Sequence, residues 1–254
     1  MSSKKPSNDD RRARAEQMKA EREAAARASE RRTRLLVAVA VLAAVAVVVA
    51  AVVISQQGST DAASATEIDQ AAAVPTGVEA PSGGAPVGED AAPVVLDEWI
   101  DFSCPACAAF AEALGPTINE LADSGDLRVV YHPLSFINEG SKAAGNAFGC
   151  AIDEGKTSQF YDVVFANQPP ESQNLTDSEL IELGRQVGID SPDFEACVND
   201  GSYDAWINNV QLNGQQELPQ IRTPTLFIDG EEVTDLPATP EELVGLVEEA
   251  KAAG

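Results

Sequence analysis

The chain has 254 residues, 44% of them hydrophobic and 23% charged, which is enough apolar material for one medium domain with appendages and excludes a wholly disordered protein. Its formal net charge of -24 is unevenly spread: Met1–Arg34 carries 11 Lys or Arg against 6 Asp or Glu, and the remainder carries 6 against 35. So acidic a body repels nucleic acid, which removes nucleic-acid binding from the expected functions.

Residues 1–34 are polar and rich in Ala, Arg and Glu, with no apolar stripe to bury, and read as a cytoplasmic tail. Leu35–Ile54 follows as an uninterrupted run of 20 Leu, Val, Ala and Ile residues. At about 1.5 Å per residue it matches the roughly 30 Å hydrocarbon core, so one transmembrane helix is predicted at 35–54. Ala63-Ser64-Ala65 offers a small-x-small cleavage pattern. The apolar block is nevertheless longer than the roughly 7–15 residues of a signal peptide, and an uncleaved signal-anchor is the expectation. Arg31, Arg32 and Arg34 precede the block and the next cation is Arg128, which orients the N-terminus to the cytoplasm and the rest outward at the cell membrane. Residues 55–91, rich in Ala, Gly, Ser, Pro and acids without helix or strand period, read as a disordered linker.

The folded domain is expected over 92–254. Val94–Phe102 reads as a largely buried strand, Cys104 stands where a helix should start, and that helix runs from about Cys107 to Ala122 with a kink or break at Gly115-Pro116. Leu127–Tyr131 reads as the next strand. Helical signals alone follow, at Ser141–Ile152, Ser158–Asn167, Asp177–Val187, Pro192–Val198 and Tyr203–Gln216, and define an all-helical insertion over about 139–218. The strand pattern returns at Thr225–Ile228, Asp229-Gly230 supplies hairpin-turn chemistry, and Thr239-Pro240-Glu241-Glu242 starts a final helix.

Thiol exchange needs one cysteine exposed and held as thiolate, and a second close by to resolve the mixed disulfide. Cys104 and Cys107 fit, because a cysteine just ahead of a helix faces unpaired N–H groups and the positive end of the helix dipole. Glu98 alternates along its strand with Ile100 and Phe102, so burial among apolar neighbours should raise its pKa and suit it to shuttle the proton of Cys107. Cys150 and Cys197, 47 positions apart, are expected to form a structural disulfide; two buried thiols, or a zinc site completed with the CxxC pair, are the alternatives. Thr223-Pro224 opens the late strand, where a cis peptide would leave the Thr223 backbone free for an extended substrate, and an ordinary trans proline is the alternative. The one histidine, His132, reads as a satisfied edge residue without assigned role.

Glu98–Cys107 (EWIDFSCPAC) together with Arg222–Gly230 (RTPTLFIDG) resemble the DsbA-like branch of the thioredoxin superfamily, over roughly residues 93–254. The resemblance implies an α/β thioredoxin fold with an inserted helical domain, Cys104 as nucleophile, Cys107 as resolving thiol, Pro224 as cis proline and Glu98 as the family's buried acid. Phe194–Val198 and Gly149-Cys150 look like the insertion of membrane-anchored actinobacterial members, which carry a second disulfide. The implied activity is disulfide donation to reduced or unfolded exported proteins by a monomer, without cofactor or metal, followed by reoxidation by a membrane quinone-linked partner. The strongly oxidising members carry His where this chain has Ala106, which leaves the oxidising strength open. The competing readings are a reductase or isomerase, and a tethered non-catalytic binding or chaperone module.

Overall fold

The computed structural model describes residues 67–170 and 173–254. The expected tail, membrane helix and first part of the linker, residues 1–66, lie outside the described residues. Among the described residues no helix is long and apolar enough to cross a membrane.

Five strands, β1 (Ala85–Val87), β2 (Val94–Asp101), β3 (Leu127–Leu134), β4 (Thr225–Ile228) and β5 (Glu231–Glu232), form one sheet in the order β1-β3-β2-β4-β5. β2 and β3 are parallel and every other pair is antiparallel. A parallel pair needs a long crossover, supplied here by helix α1 (Pro105–Asp123). The tight turn of the β4–β5 hairpin rests on Asp229 and Gly230, both at positive φ (49° and 82°).

Five helices separate β3 from β4: α2 (Glu139–Asp153), α3 (Thr157–Ala166), α4 (Asp177–Gln186), α5 (Pro192–Asp200) and α6 (Asp204–Glu217). Their starts follow local chemistry: Asn138 and Ser141 form a capping box on α2, Thr176 and Glu179 one on α4, and Ser191 caps α5 ahead of Pro192. The final helix α7 (Pro240–Ala253) is capped by Thr239 and packs on α1 and β2.

Aromatic rings join the insertion to the sheet. Phe102 stacks on Phe165 at 5.0 Å, and Tyr131 of β3 lies 4.5 Å from Tyr161 of α3. On the other face α6 comes so close that a Cβ on Gly214 would meet Leu134 Cδ2 at 2.7 Å and Trp99 Cζ3 at 3.1 Å. Cys150 of α2 is bonded to Cys197 of α5, with their Cα atoms 5.9 Å apart.

Three expectations need correction. The break at Gly115-Pro116 is absent, because Pro116 and Glu112, whose carbonyl loses its N–H partner, both lie on the exposed side of α1 while Leu114 and Ile118 are buried. The linker does not extend to Ala91. Residues 67–91 pack on the domain: Asn209 bonds the Asp69 backbone through both ends of its amide, Trp206 Nε1 donates to Gly83 O at 2.9 Å, and β1 pairs with β3. His132 is buried rather than at an edge, stacked 4.1 Å above Trp99, with Nε2 2.8 Å from Asp97 Oδ1.

Candidate active site

Cys104 is the N-cap of α1, with extended backbone (φ -85°, ψ 116°) and Pro105 as the first helical residue. No side chain caps this end and no acid stands in the first turn, so the free N–H groups of the turn are left to the sulfur. Cys104 is itself buried, 6% exposed, rather than exposed as expected, and Cys107, one turn on, is fully buried among the apolar residues that α1 turns toward the sheet. Both cysteines are thiols in this structure.

The chain returns to this point at Thr223-Pro224, whose peptide bond is cis. Cys104 Sγ lies 3.4 Å from the carbonyl oxygen of Thr223, and the Thr223 hydroxyl is buried without a partner. The expected residues of the CxxC motif and the proline loop, 119 positions apart in sequence, are thereby brought together.

The two thiols are driven in opposite directions. Hydrogen bonding from Cys107, helped by the backbone N–H groups of Cys107 and Ala106, holds the Cys104 thiol down at about 6 although burial opposes it. Burial pushes the Cys107 thiol far up, and the Cys104 charge beside it adds to the effect. One sulfur is therefore the standing nucleophile, and the other reacts only when something takes its proton.

Glu98, on β2 beside β3, is fully buried, and burial raises its carboxyl to about 7. A 2.7 Å hydrogen bond from Tyr161 to Oε1 resists that rise, and the nearby charge of Asp162 adds to it. Oε2 has no partner. An acid that changes protonation near neutrality in a dry compartment is suited to accept and return a thiol proton.

Three residues without an expected role hold the loops in place. Asp101 accepts from the backbone N–H of Ser103 at 2.8 Å, of Phe136 at 3.0 Å and of Ile137 at 3.2 Å, clamping the Cys104 loop to the loop after β3. Burial raises the Asp101 pKa, and the hydroxyl of Ser141 with these N–H groups opposes it. Gln168 donates to the carbonyl oxygens of Phe102 at 2.8 Å and Cys104 at 3.1 Å. Asn138, besides capping α2, accepts from the Ser103 hydroxyl at 2.9 Å. Strand alternation sets Asp101 on the face of β2 away from Glu98 but does not show its partners, two of which are backbone groups 35 and 36 positions away. Cys150 and Cys197 stand apart from this centre, and their bond removes both sulfurs from any four-thiolate metal site.

A dithiol at the start of the crossover helix, facing a cis proline at the head of an antiparallel strand, defines the redox centre of a thioredoxin-fold protein. A family model described as thioredoxin matches residues 82–249, and the chain belongs to that family. Among solved structures it is similar to MdbA, a thiol-disulfide oxidoreductase from Actinomyces oris, with TM-score 0.60, 25% identity, and coverage of 69% of this chain and 92% of that one. Disulfide bond formation protein D of Bacillus subtilis is 27% identical over 153 residues, covering 58% of this chain and 68% of the relative. Serine/threonine-protein kinase PknE of Mycobacterium tuberculosis is 28% identical over 129 residues, 46% of this chain; the match spans only 23% of that protein's length, so its kinase name does not carry over. The relatives and neighbours place the chain with DsbA-like thiol-disulfide oxidoreductases.

Proposed function

We propose that the protein is a disulfide oxidase, which passes its Cys104–Cys107 disulfide to reduced exported proteins and is reoxidised by a quinone-linked membrane partner. The observation that carries this reading is the Cys104 thiol held down at about 6 beside a Cys107 thiol pushed far up. Stabilising the thiolate stabilises the reduced form, which makes the disulfide the better electron acceptor. A substrate thiolate attacks Cys104 Sγ, the S–S bond breaks, and Cys107 leaves and takes up a proton. A second substrate thiolate then releases Cys104 as thiolate and carries away the disulfide. In this reading the protein acts as a monomer anchored by 35–54 with its domain outside the cytoplasm, as the positive residues before that run and the acidic chain after it favour.

The test is the potential of the Cys104–Cys107 pair in the full-length protein, equilibrated with glutathione buffers and trapped by alkylation. A value above about -200 mV is expected, and one at or below about -270 mV would turn the reading to a reductase. Ala106, which brings no further cation to the thiolate, is the feature that favours the reductase. Cys104→Ser should abolish exchange; a wild type without exchange activity, whose Cys104→Ser variant still binds its partner, would leave only a binding module. Alkylation of Cys104 in intact cells by a membrane-impermeant reagent, after reduction with a membrane-impermeant phosphine, reads the outward placement, and protection of the reduced Cys104 there would overturn it.

A further inference from the structure

Behind the dithiol, three elements meet at Glu98 of β2: Tyr131 of β3 is its register partner, and the ring of Tyr161 from α3 lies 4.5 Å from that of Tyr131. Tyr161 is fully buried, and burial first, then the charge of Glu98, push its hydroxyl pKa up, with Cys107 contributing least. Its hydroxyl donates to Glu98 Oε1 at 2.7 Å, while Oε2 is buried with no partner of its own. A phenol hydroxyl has one proton to give, and the oxygen accepting it is the poorer place for a second. The carboxyl proton of neutral Glu98 therefore belongs on Oε2.

We propose that Tyr161 is a positioning residue for thiol exchange: by occupying Oε1 it reserves Oε2 of Glu98 as the atom that gives and takes the proton of Cys107. The inference rests on the exchange reading of the Cys104–Cys107 pair. When a substrate thiolate breaks the disulfide, Cys107 leaves with the electron pair of the S–S bond, Oε2–H protonates it, and Glu98 becomes a carboxylate held by the Tyr161 hydrogen bond. When the dithiol is reoxidised the steps reverse. Oε2 takes the Cys107 proton, the thiolate attacks the mixed disulfide at Cys104, and the partner leaves as thiolate. Tyr161 bonds to the charged acid more strongly than to the neutral one, so it sets the pH at which Glu98 works as a base. Asp162 acts in the opposite direction: its own carboxyl is raised by burial and bonded to Asn119, and its charge disfavours a second one on Glu98.

The experiment follows one step of exchange in the full-length protein. Cys104 is loaded with thionitrobenzoate as a mixed disulfide, and release of the coloured thiol by Cys107 is timed across pH. The wild type should show a rise with a midpoint near Glu98's value of about 7. Tyr161→Phe should keep the plateau and move the midpoint up by about 1–2 pH units, the worth of one hydrogen bond to a charged group. Glu98→Gln should lose that midpoint altogether. Fluorotyrosine incorporation, which keeps the hydroxyl and strengthens it as a donor, should move the midpoint down, so the proposal stays open to refutation even if the Phe variant fails to fold. A merely structural tyrosine would change stability and leave the midpoint in place; an unmoved midpoint in the folded Phe variant, or with fluorotyrosine, overturns the proposal. A Cys107 that never releases the coloured thiol in wild type would instead overturn the exchange reading beneath it.

Discussion

Glu98 keeps a proton that a surface glutamate would lose, and the consequence is readable in stability as well as in rate. Its carboxyl is raised from 4.5 to about 7 in the fold. Between those two values the native state holds a proton that the unfolded chain has released, so the unfolding free energy contributed by this group falls as pH rises. The full effect, reached above about pH 7, is a cost of about 3 kcal/mol, and below pH 4.5 it vanishes. Glu98→Gln, neutral throughout, should therefore gain on the wild type by roughly 1.4 kcal/mol per pH unit across that window in urea denaturation of the dithiol form. A difference that does not change with pH would show that Glu98 is not protonated in the folded protein at neutral pH. The acid was legible because strand alternation buries position 98 regardless of tertiary detail, and the cysteines because their spacing is the chemistry itself. Asp101 and Gln168 were not legible, since each acts on backbone groups of a distant loop, and backbone groups leave no mark in the sequence.

At the scale of elements, what starts each helix is local and what fastens one helix to another is not. Asn138, Thr176 and Ser191 in the insertion, and Thr239 after it, satisfy N–H groups within three residues, so these helix starts depend on local sequence alone. The exception, Pro116, shows why a breaker is weighed by the side it faces: on the exposed side of α1 it removes one hydrogen bond without displacing the packing of Leu114 and Ile118. The fastening of α2 to α5 by Cys150–Cys197 lies between these cases, because the sequence offers the residues but not their distance. Its span of 47 residues limits the freedom of the unfolded chain. Replacing both cysteines with alanine should lower the unfolding free energy by about 2–4 kcal/mol, seen as a lower urea midpoint, while leaving the CxxC potential where it was. An unchanged midpoint would mean that the bond constrains nothing the packing of α2 on α5 does not already hold.

Over the whole described chain, the segment before the first long strand overturns the composition-based boundary. Residues 67–84 are poor in large apolar groups, and their order comes from side chains presented by α6. Asn209, which is 1% exposed, donates to the carbonyls of Asp69 and Pro81 and accepts from the Asp69 N–H, and Trp206, fully buried, donates to Gly83. Thr76 adds two bonds to Asp153 at the end of α2, and Val78 is buried. A segment held mainly through its backbone can be written in Gly, Ser, Pro and Ala, the same composition that marks a tether, and only its partners tell the two apart. The catalytic groups lie elsewhere: Cys104 faces Thr223, Glu98 faces Tyr161, and neither touches this strap. A domain beginning at residue 85 should therefore unfold more easily than one beginning at residue 67, by about 1–3 kcal/mol for the stripped amide of Asn209 and the uncovered ring of Trp206. Its Cys104–Cys107 potential should match that of the longer form. Equal denaturation midpoints would reduce the strap to a passive tether, and a shifted potential would mean that it reaches the redox centre through Gly84, whose backbone lies against the buried ring of His132.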